Sequence, residues 1–377
     1  MKYIEEFRDG ELARRLAAAI ASEVDPHREY RIMEFCGGHT HAIFRYGVQE
    51  LMPENVHFVH GPGCPVCVLP IGRIDQAIAL VEEHDVILCT YGDMLRVPAS
   101  GRRSLLKVKA EGGDVRMVWS TQDALRIARS HPDRQVVFFA IGFETTTPPT
   151  AVAIRQAMAE GLENFSVFCN HVLTPAAMRS ILGGSGDTLA IDGFLGPSHV
   201  STVIGTQPYE FCPRDYGKPV VIAGFEPLDV MQSTRMLIRQ LNEGRAEVEN
   251  EYTRVVSREG NRKAQALVNE IFTLRPRFEW RGLGEVADSA LAIRPAWAKY
   301  DAEQRFAVPA RSVADVKGCE CPAILRGVKK PVDCKLFGTV CTPDNPMGSC
   351  MVSSEGACAA WWSYGRFRGP GTKESAA

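Results

Sequence analysis

The chain has 377 residues, of which 45% are hydrophobic and 23% are charged, and its formal net charge is −2. A chain of this length is expected to fold into two or three domains with a sizeable core. The near-neutral charge gives no electrostatic reason to expect a nucleic acid partner. No apolar run approaches the ~20 residues that a membrane-spanning helix needs. We therefore expect a cytoplasmic protein that binds neither nucleic acid nor membrane.

The N-terminal segment predicts an amphipathic helix. Leu12, Leu16 and Ile20 recur at helical spacing. Charged residues such as Arg14 and Arg15 interrupt the apolar run, which argues against a signal peptide.

Between residues 55 and 225, short apolar runs alternate with segments of helical spacing. Several runs are apolar throughout, which is typical of strands that are buried on both faces. The helical segments carry capping residues and prolines near their starts. We therefore predict an α/β protein of βα units with parallel sheets. The predicted strands are residues 56–59, 86–90, 115–119, 136–141, 165–169 and 220–225.

A turn-rich stretch at residues 182–219 breaks this rhythm and favours two smaller α/β lobes over one large sheet. We predict a first lobe at residues 1–125, a second at 126–225, and a mostly helical, Cys-rich third lobe at 226–377. Within the third, the polar segment 242–263 is interpreted as a solvated helical face. The tail after Tyr364 is predicted to be disordered.

Twelve cysteines in a chain without an export signal indicate metal or redox chemistry rather than structural disulfides. Cys89, Cys169 and Cys212 are most simply explained as buried apolar fillers or loop residues.

The motif Cys36-Gly-Gly-His39-Thr-His41 follows a strand-like segment, YRIMEF. Two glycines allow a tight turn that brings a thiolate and an imidazole to one point, a combination that suits iron, copper or zinc. A buried cysteine beside a capping histidine is the alternative.

The pair Cys64-Pro-Val-Cys67 follows a predicted strand that ends at His60. Such a pair can close a small disulfide or share a metal. The alternative is half of a structural zinc site that Cys36 and His39 complete. Because both motifs end strands, where α/β sheets place their chemistry, we favour a functional site.

Three further candidates also follow predicted strands: Asp93, Glu144 and His199. They are positioned to act as acids, bases or partners of metal ligands. The threonines after Glu144 would cap the next helix, whose free N–H groups could hold an anion. The chain contains neither a G-x-x-x-x-G-K-[ST] loop nor a G-x-G-x-x-G turn.

The last hundred residues hold six cysteines in a segment too poor in apolar residues to form a core without a metal. Their thiolates fit an iron–sulfur cluster or a four-thiolate zinc site. The absence of nearby histidines favours iron–sulfur. The cysteines are Cys319, Cys321, Cys334, Cys341, Cys350 and Cys358.

Taken together, FCGGHTH, GPGCPVC, YGDMLRVP, GFETTTPP, GPSHVS and the C-terminal cysteine pattern closely resemble the HypD family of [NiFe]-hydrogenase maturation factors. The resemblance runs from about residue 30 to residue 365. It implies two α/β lobes around a cleft and a third lobe with a [4Fe-4S] cluster. The implied cluster ligands are Cys319 or Cys321, Cys334, Cys341 and Cys358, which leaves Cys350 spare.

The resemblance also implies a scaffold that assembles an Fe(CN)2CO unit together with a small HypC-type chaperone, with a HypE-type protein as the cyanide donor. Cys36 matches the cysteine that would hold the iron, His39 lies beside it, and Cys64 and Cys67 match a redox-active pair. On this hypothesis electrons pass from the cluster to the pair, which then acts on ligands at Cys36. That step requires the three sulfurs to be neighbours.

Two other functions are compatible with the same residues. A stand-alone iron–sulfur disulfide reductase acting on a protein substrate would need no iron at Cys36. A binding scaffold with two structural zinc sites would have no redox role.

Overall fold

The computed structural model describes residues 5–184, 191–309 and 312–365. Helices and strands alternate along most of this chain. The helices are α1 (Gly10–Glu23), α2 (Gly37–Arg45), α3 (Val48–Leu51), α4 (Pro65–Val68), α5 (Ile71–His84), α6 (Leu105–Ala110), α7 (Thr121–Ser130), α8 (Thr147–Ala159), α9 (Thr174–Gly183), α10 (Ser198–Ile204), α11 (Phe211–Tyr216), α12 (Pro227–Asn242), α13 (Arg262–Ile271), α14 (Ala302–Arg305), α15 (Cys321–Leu325) and α16 (Ala357–Ala360). The strands are β1 (Tyr30–Glu34), β2 (Val56–His60), β3 (Ile87–Thr90), β4 (Val115–Met117), β5 (Val136–Gly142), β6 (Phe165–His171), β7 (Gly193–Pro197), β8 (Val220–Ala223), β9 (Val248–Asn250), β10 (Phe272–Leu274), β11 (Arg277–Trp280), β12 (Gly284–Ala287) and β13 (Leu291–Ile293).

Local sequence signals explain where several helices begin. α7 starts with a capping box in which Ser120 and Asp123 each accept a hydrogen bond from the other's backbone N–H. α12 begins with Pro227 at its first position, where the missing N–H has no cost. In α1 the buried side chain is Ile20, on the predicted apolar face.

The strands form two fully parallel sheets flanked by helices, which confirms the predicted α/β class. Sheet A has the order β2-β1-β7-β8-β9, and sheet B has the order β4-β3-β5-β6. Each predicted strand has a counterpart, although β4 ends at Met117, before the predicted boundary at residue 119.

The strand pairings group the chain differently from the predicted boundary at residue 125. β3 and β4, predicted in the first lobe, pair in sheet B with β5 and β6. β7 and β8, predicted in the second, pair in sheet A with β1 and β2. The stretch 182–219, interpreted as turn-rich, contains β7, whose central position completes sheet A. Apolar periodicity identifies a strand but carries no information about its partner.

Alternate residues of the central strands enter different cores. In β5, Val137, Phe139 and Ile141 belong to a core that also contains Met33 and Phe194 of sheet A. The intervening residues of β5 face α7 and α8 in a separate core. Apolar side chains on both faces are expected for a strand covered on both sides. The shared core therefore joins the two sheets into one body.

The polar segment 242–263 is not the predicted helical face. It forms β9 and a series of turns before α13 begins at Arg262. β9 is the edge strand of sheet A, and Glu251 N just beyond it donates to the Ile222 carbonyl oxygen of β8. The polar side chains of this segment therefore belong to an edge strand and not to a helix surface.

Beyond α13 the chain forms two antiparallel ribbons, β10 with β13 and β11 with β12, followed by short helices and turns. The tail predicted to be disordered begins at Gly365, which instead ends a short helical turn, and the rest of it lies outside the described residues. In the part of the chain that the structure describes, no helix has the length and apolarity needed to cross a membrane.

Candidate functional site

The Cys36 loop, residues 35–38, connects β1 to α2 at the carboxyl end of the strand. Cys36 is the extended N-cap residue of α2, with φ −156° and ψ 131°. Its two glycines are sterically required: a Cβ on Gly37 would lie 2.3 Å from Cβ of Glu355, and one on Gly38 would lie 2.7 Å from the Phe225 ring. The motif is therefore packed between a C-terminal segment and the end of β8.

The Cys64 loop, residues 61–64, lies directly against the Cys36 loop. Gly61 N donates to the Glu34 carbonyl oxygen at 2.9 Å, and Gly37 N donates to the Gly63 carbonyl oxygen at 3.3 Å. A Cβ on Gly63 would lie 2.4 Å from the backbone nitrogen of Cys36. The structure thus brings together the two motifs that the sequence analysis singled out.

Cys64 and Cys67 are joined by a disulfide across the first turn of α4. Their Cα atoms are 5.2 Å apart, within the range that a disulfide requires. Both residues are buried. The Cys67 backbone N–H also points at the Cys64 sulfur, at 3.2 Å.

The Cys36 thiol is held in its protonated form. Burial raises its pKa, and the negative charges of Glu355 and Glu34 raise it further. The backbone N–H groups of Gly38 and His39, at the start of α2, oppose this effect only in part. Because a cation would reverse the electrostatic balance, this thiol is suited to lose its proton on binding a metal ion.

His39 is fully buried and its tautomer is set by the backbone. Nε2 lies 3.1 Å from the carbonyl oxygens of both Ala223 and Gly224, so Nε2 carries the hydrogen. Nδ1 has no hydrogen-bond partner among the described residues. Burial lowers the pKa of His39 to about 4. The ring is neutral at physiological pH and keeps an unshared electron pair on Nδ1.

A ring sandwich places His199 on the other side of the same assembly. His199 stacks on Phe225 with ring centroids 3.8 Å apart, and His39 stacks on the opposite face of Phe225 at 4.8 Å. His199 lies at the start of α10 with part of its side chain exposed to solvent, and the partial burial of its ring lowers its pKa. The predicted residue is therefore near His39, with Phe225 between them.

Asp93 lies near Glu355, which in turn packs against the Cys36 loop. The pKa of Glu355 is raised, first because protein surrounds its carboxyl group and then because Asp93 and Glu34 lie nearby. These carboxylates make the surroundings of Cys36 negative. Such a potential favours a cation.

Glu144 is a buried carboxyl group that caps a helix. It accepts hydrogen bonds from Thr174 N at 2.9 Å and from the Thr174 hydroxyl at 3.0 Å, at the start of α9. Burial raises its pKa to about 7. Burial raises the pKa of the nearby Tyr209 hydroxyl, and Glu144 and Cys36 both lie close enough to add to this effect.

The C-terminal cysteines form a thiol cluster, defined as Cys319, Cys321, Cys334, Cys341, Cys350 and Cys358. The side chains of Cys319, Cys350 and Cys358 all act on the pKa of the Cys321 thiol, so Cys350 lies inside the cluster. The negative charges of Cys319 and Cys334 act on Cys341, which places these two beside it. The thiol of Cys321 lowers the pKa of Cys319 to about 7.

The thiol cluster has the donor atoms that an iron–sulfur group uses. A Cβ on Gly348 would lie 2.5 Å from the Cys319 sulfur and 2.6 Å from the Cys321 sulfur, so only a glycine lets the backbone pass this close to both thiols. Within the described ranges, no three His, Cys, Asp or Glu side chains are arranged around one point for a metal ion. Thiolates are the ligands that iron–sulfur clusters use.

Ser349 links the thiol cluster to the disulfide. Its hydroxyl donates to the Cys67 carbonyl oxygen at 2.8 Å, and its own carbonyl oxygen lies 4.0 Å from the Cys67 sulfur. Cys350, the next residue, is fully buried among the other thiols. The disulfide therefore lies between the Cys36 loop and the cluster.

Sequence reasoning missed several of these neighbours. Glu34 carried a signal, since it is a charged residue at the end of an otherwise apolar strand-like run. Phe225, Tyr209, Ser349 and Glu355 carried none, because each arrives from a distant element.

Cys89, Cys169 and Cys212 are buried within the apolar cores, in agreement with their interpretation as fillers.

Comparison with known proteins identifies the family. The model of the family HypD, described as the hydrogenase formation hypA family, matches residues 11–365. The hydrogenase maturation factor HypD of Azotobacter vinelandii is 67% identical over 371 residues, which cover 98% of each chain. The HypD of Cupriavidus necator is 68% identical over 372 residues, with 98% of each chain covered. That of Escherichia coli is 46% identical over 369 residues, covering 97% of this chain and 98% of its own. A match over nearly the whole length at such identity shows that this chain belongs to the HypD family of hydrogenase maturation factors.

Proposed function

We propose that this protein is a cytoplasmic scaffold of [NiFe]-hydrogenase maturation that holds iron at Cys36 while its Fe(CN)2CO unit is assembled. The single observation that carries the proposal is the direct backbone contact between the Cys36 loop and the loop of the Cys64–Cys67 disulfide. On this proposal, the thiol that holds iron and the redox-active pair would lie on loops whose backbones are in contact, as an exchange between them requires.

Cys36 and His39 would hold the iron. The thiol loses its proton as the Fe–S bond forms, and the surrounding carboxylates of Glu34, Asp93 and Glu355 attract the cation. The neutral His39 ring offers Nδ1 as a second donor, in a tautomer fixed by two carbonyl oxygens. A soft thiolate suits a ferrous ion that carries cyanide and carbon monoxide.

Two donors from this chain leave the iron incompletely surrounded, which supports a partner protein. Iron that carries three diatomic ligands and is bound by Cys36 and His39 still lacks one ligand of an octahedron. A thiolate from a small HypC-type chaperone would complete the coordination sphere, and a HypE-type protein would deliver the cyanide. A site shared between two proteins can also open to release its iron.

The Cys64–Cys67 pair would take up two electrons and two protons when its S–S bond breaks to give two thiols. A [4Fe-4S] group would be held by four members of the thiol cluster: Cys319 or Cys321, together with Cys334, Cys341 and Cys358. Cys350 is a further thiol beside them. When bound, such a cluster supplies one-electron exchange. The hydrogen bond from the Ser349 hydroxyl holds the backbone of Cys67 close to these thiols.

A stand-alone iron–sulfur disulfide reductase remains the second candidate function. The observation in its favour is the hydrogen-bonded link from the thiol cluster to the disulfide through Ser349, which needs no iron at Cys36. In that case Cys36→Ala should leave the turnover of a protein disulfide intact.

Infrared spectroscopy of the protein, purified anaerobically with its small partner, tests the proposal. Bands from CN and CO stretches are expected in the wild-type complex and in Cys89→Ala, which removes a buried thiol from the outer core of sheet B. Cys36→Ala should lose them. If the bands persist in Cys36→Ala, the iron is not held there and the proposed function is wrong.

A further inference from the structure

A buried carboxylate bridges the two loops of the site. Glu34 is 0% exposed at the end of β1. Its Oε2 accepts a hydrogen bond from Cys36 N at 3.0 Å, while Oε1 lies 2.8 Å from Nδ1 of His60 and also accepts from the Thr40 hydroxyl. One side chain is thus bonded to the Cys36 loop, to α2 and to the end of β2.

The backbone around Glu34 provides further contacts between the same segments. Its carbonyl oxygen accepts from Gly61 N, and the Gly63 carbonyl oxygen accepts from Gly37 N. Gly63 lies against the backbone of Cys36 and directly precedes Cys64 in the chain. Only one peptide unit therefore separates the disulfide from the contact with Cys36.

Burying a carboxylate without an arginine or lysine partner is unfavourable unless hydrogen bonds compensate for the lost water. Here the three side-chain contacts come from Cys36, Thr40 and His60, which belong to different elements. A group that holds three elements transmits a displacement of one of them to the others, because leaving any donor unpaired in the interior is costly.

We propose that Glu34 is a positioning residue that couples the redox state of the Cys64–Cys67 pair to the geometry of Cys36. The proposal rests on the proposed function only in assigning the iron to Cys36. When an added phosphine reductant breaks the S–S bond and two thiols form, the Cys64 loop is released from its cross-link. Glu34 and His60 then carry the resulting shift of the loop to the backbone of Cys36.

The coupling can be measured without iron, on the full-length protein. Cys36 is alkylated with iodoacetamide before and after reduction of the disulfide, and its rate is followed by mass spectrometry of tryptic peptides. Cleavage after Arg31 and Arg45 leaves Cys36 as the only cysteine of peptide 32–45, while Cys64 and Cys67 lie together on peptide 46–73. The readout is the rate of Cys36 alkylation after reduction divided by the rate before reduction. A variant that changes the acidity of the Cys36 thiol equally in both states leaves this ratio unchanged.

In the wild type we expect this ratio to differ from one by about tenfold, since a hydrogen bond to a charged group changes an equilibrium by at least that order. In Glu34→Gln the side chain has only one acceptor oxygen, so it cannot accept hydrogen bonds from Cys36 N, the Thr40 hydroxyl and His60 together. The ratio should then be close to one. His60→Gln should also bring the ratio closer to one. If a thermal melt shows that Glu34→Gln is unfolded, His60→Gln becomes the test of the coupling.

The chain offers a matched control on the same two strands. Glu29 pairs with His57 at 2.6 Å, at the opposite, exposed end of β1 and β2. Glu29→Gln should keep the wild-type ratio. A wild-type ratio of one, or an unchanged ratio in folded Glu34→Gln and His60→Gln, would overturn the coupling. Neither result bears on whether Cys36 holds iron, which the infrared experiment decides separately.

Discussion

The contact between Gly63 and Cys36 makes a sharp steric prediction. In Gly63→Ala the added Cβ would lie 2.4 Å from Cys36 N, 2.5 Å from Cys36 Cα and 2.5 Å from the carbonyl carbon of Phe35. All three are backbone atoms, so no side chain can rotate away. Gly63 is not among the glycines with positive φ, and the effect is therefore steric rather than conformational.

We expect Gly63→Ala to lower the free energy of unfolding by about 1–3 kcal/mol, as overpacking typically does. Separating the two loops should also change the alkylation rate of Cys36. Gly10→Ala is the control, because its Cβ would lie 3.7 Å from the flexible tip of Arg14. Urea unfolding and peptide-resolved alkylation measure the two effects. Gly63→Ala with wild-type stability and an unchanged Cys36 rate would refute the proposed loop contact.

Three further predictions concern buried groups. Burial raises the pKa of Glu144 from its ordinary 4.5 to about 7, so the folded protein holds this proton more tightly than the unfolded chain does. The free energy of unfolding should therefore fall by roughly 3 kcal/mol as pH rises from about 4.5 to 7. Urea unfolding of Glu144→Gln should show a smaller fall over this range, and the same pH dependence as in the wild type would contradict the prediction. Anaerobic wild-type protein should contain about four iron and four sulfide per chain, which Cys341→Ala loses and Cys89→Ala keeps, whereas stoichiometric zinc would exclude the cluster. His39→Gln should lower the iron that co-purifies with the small partner, measured by metal analysis, and unchanged iron would exclude Nδ1 as a ligand.

The elements of this fold could be predicted from sequence where local chemistry decides the outcome. α5 fills the interval between two of the predicted strands, where segments of helical spacing were found. β5 and β6 are buried throughout, as their continuous apolar runs indicated. The placement of Cys36 and Cys64 at neighbouring strand ends followed from the rule that parallel sheets gather loops at one edge.

Strand partnership could not be predicted in the same way. β1 pairs with β7 although all four strands of sheet B lie between them in the sequence, and no residue in either strand specifies the other. The same holds for the neighbours of the site. Phe225 stacks between two histidines and Glu355 covers Gly37 only because distant segments converge in three dimensions.

The order of the strands in sheet A has a consequence for biosynthesis. β1 emerges early from the ribosome, but its neighbour β7 is made only after all of sheet B. Until then one hydrogen-bonding edge of β1 stays open, and such long-range parallel pairing is slow and prone to aggregation. Cys36 is thus translated among the first residues, yet its surroundings become complete only when Glu355, near the end of the chain, has been made. A truncated nascent chain would present Cys36 without the residues that enclose it.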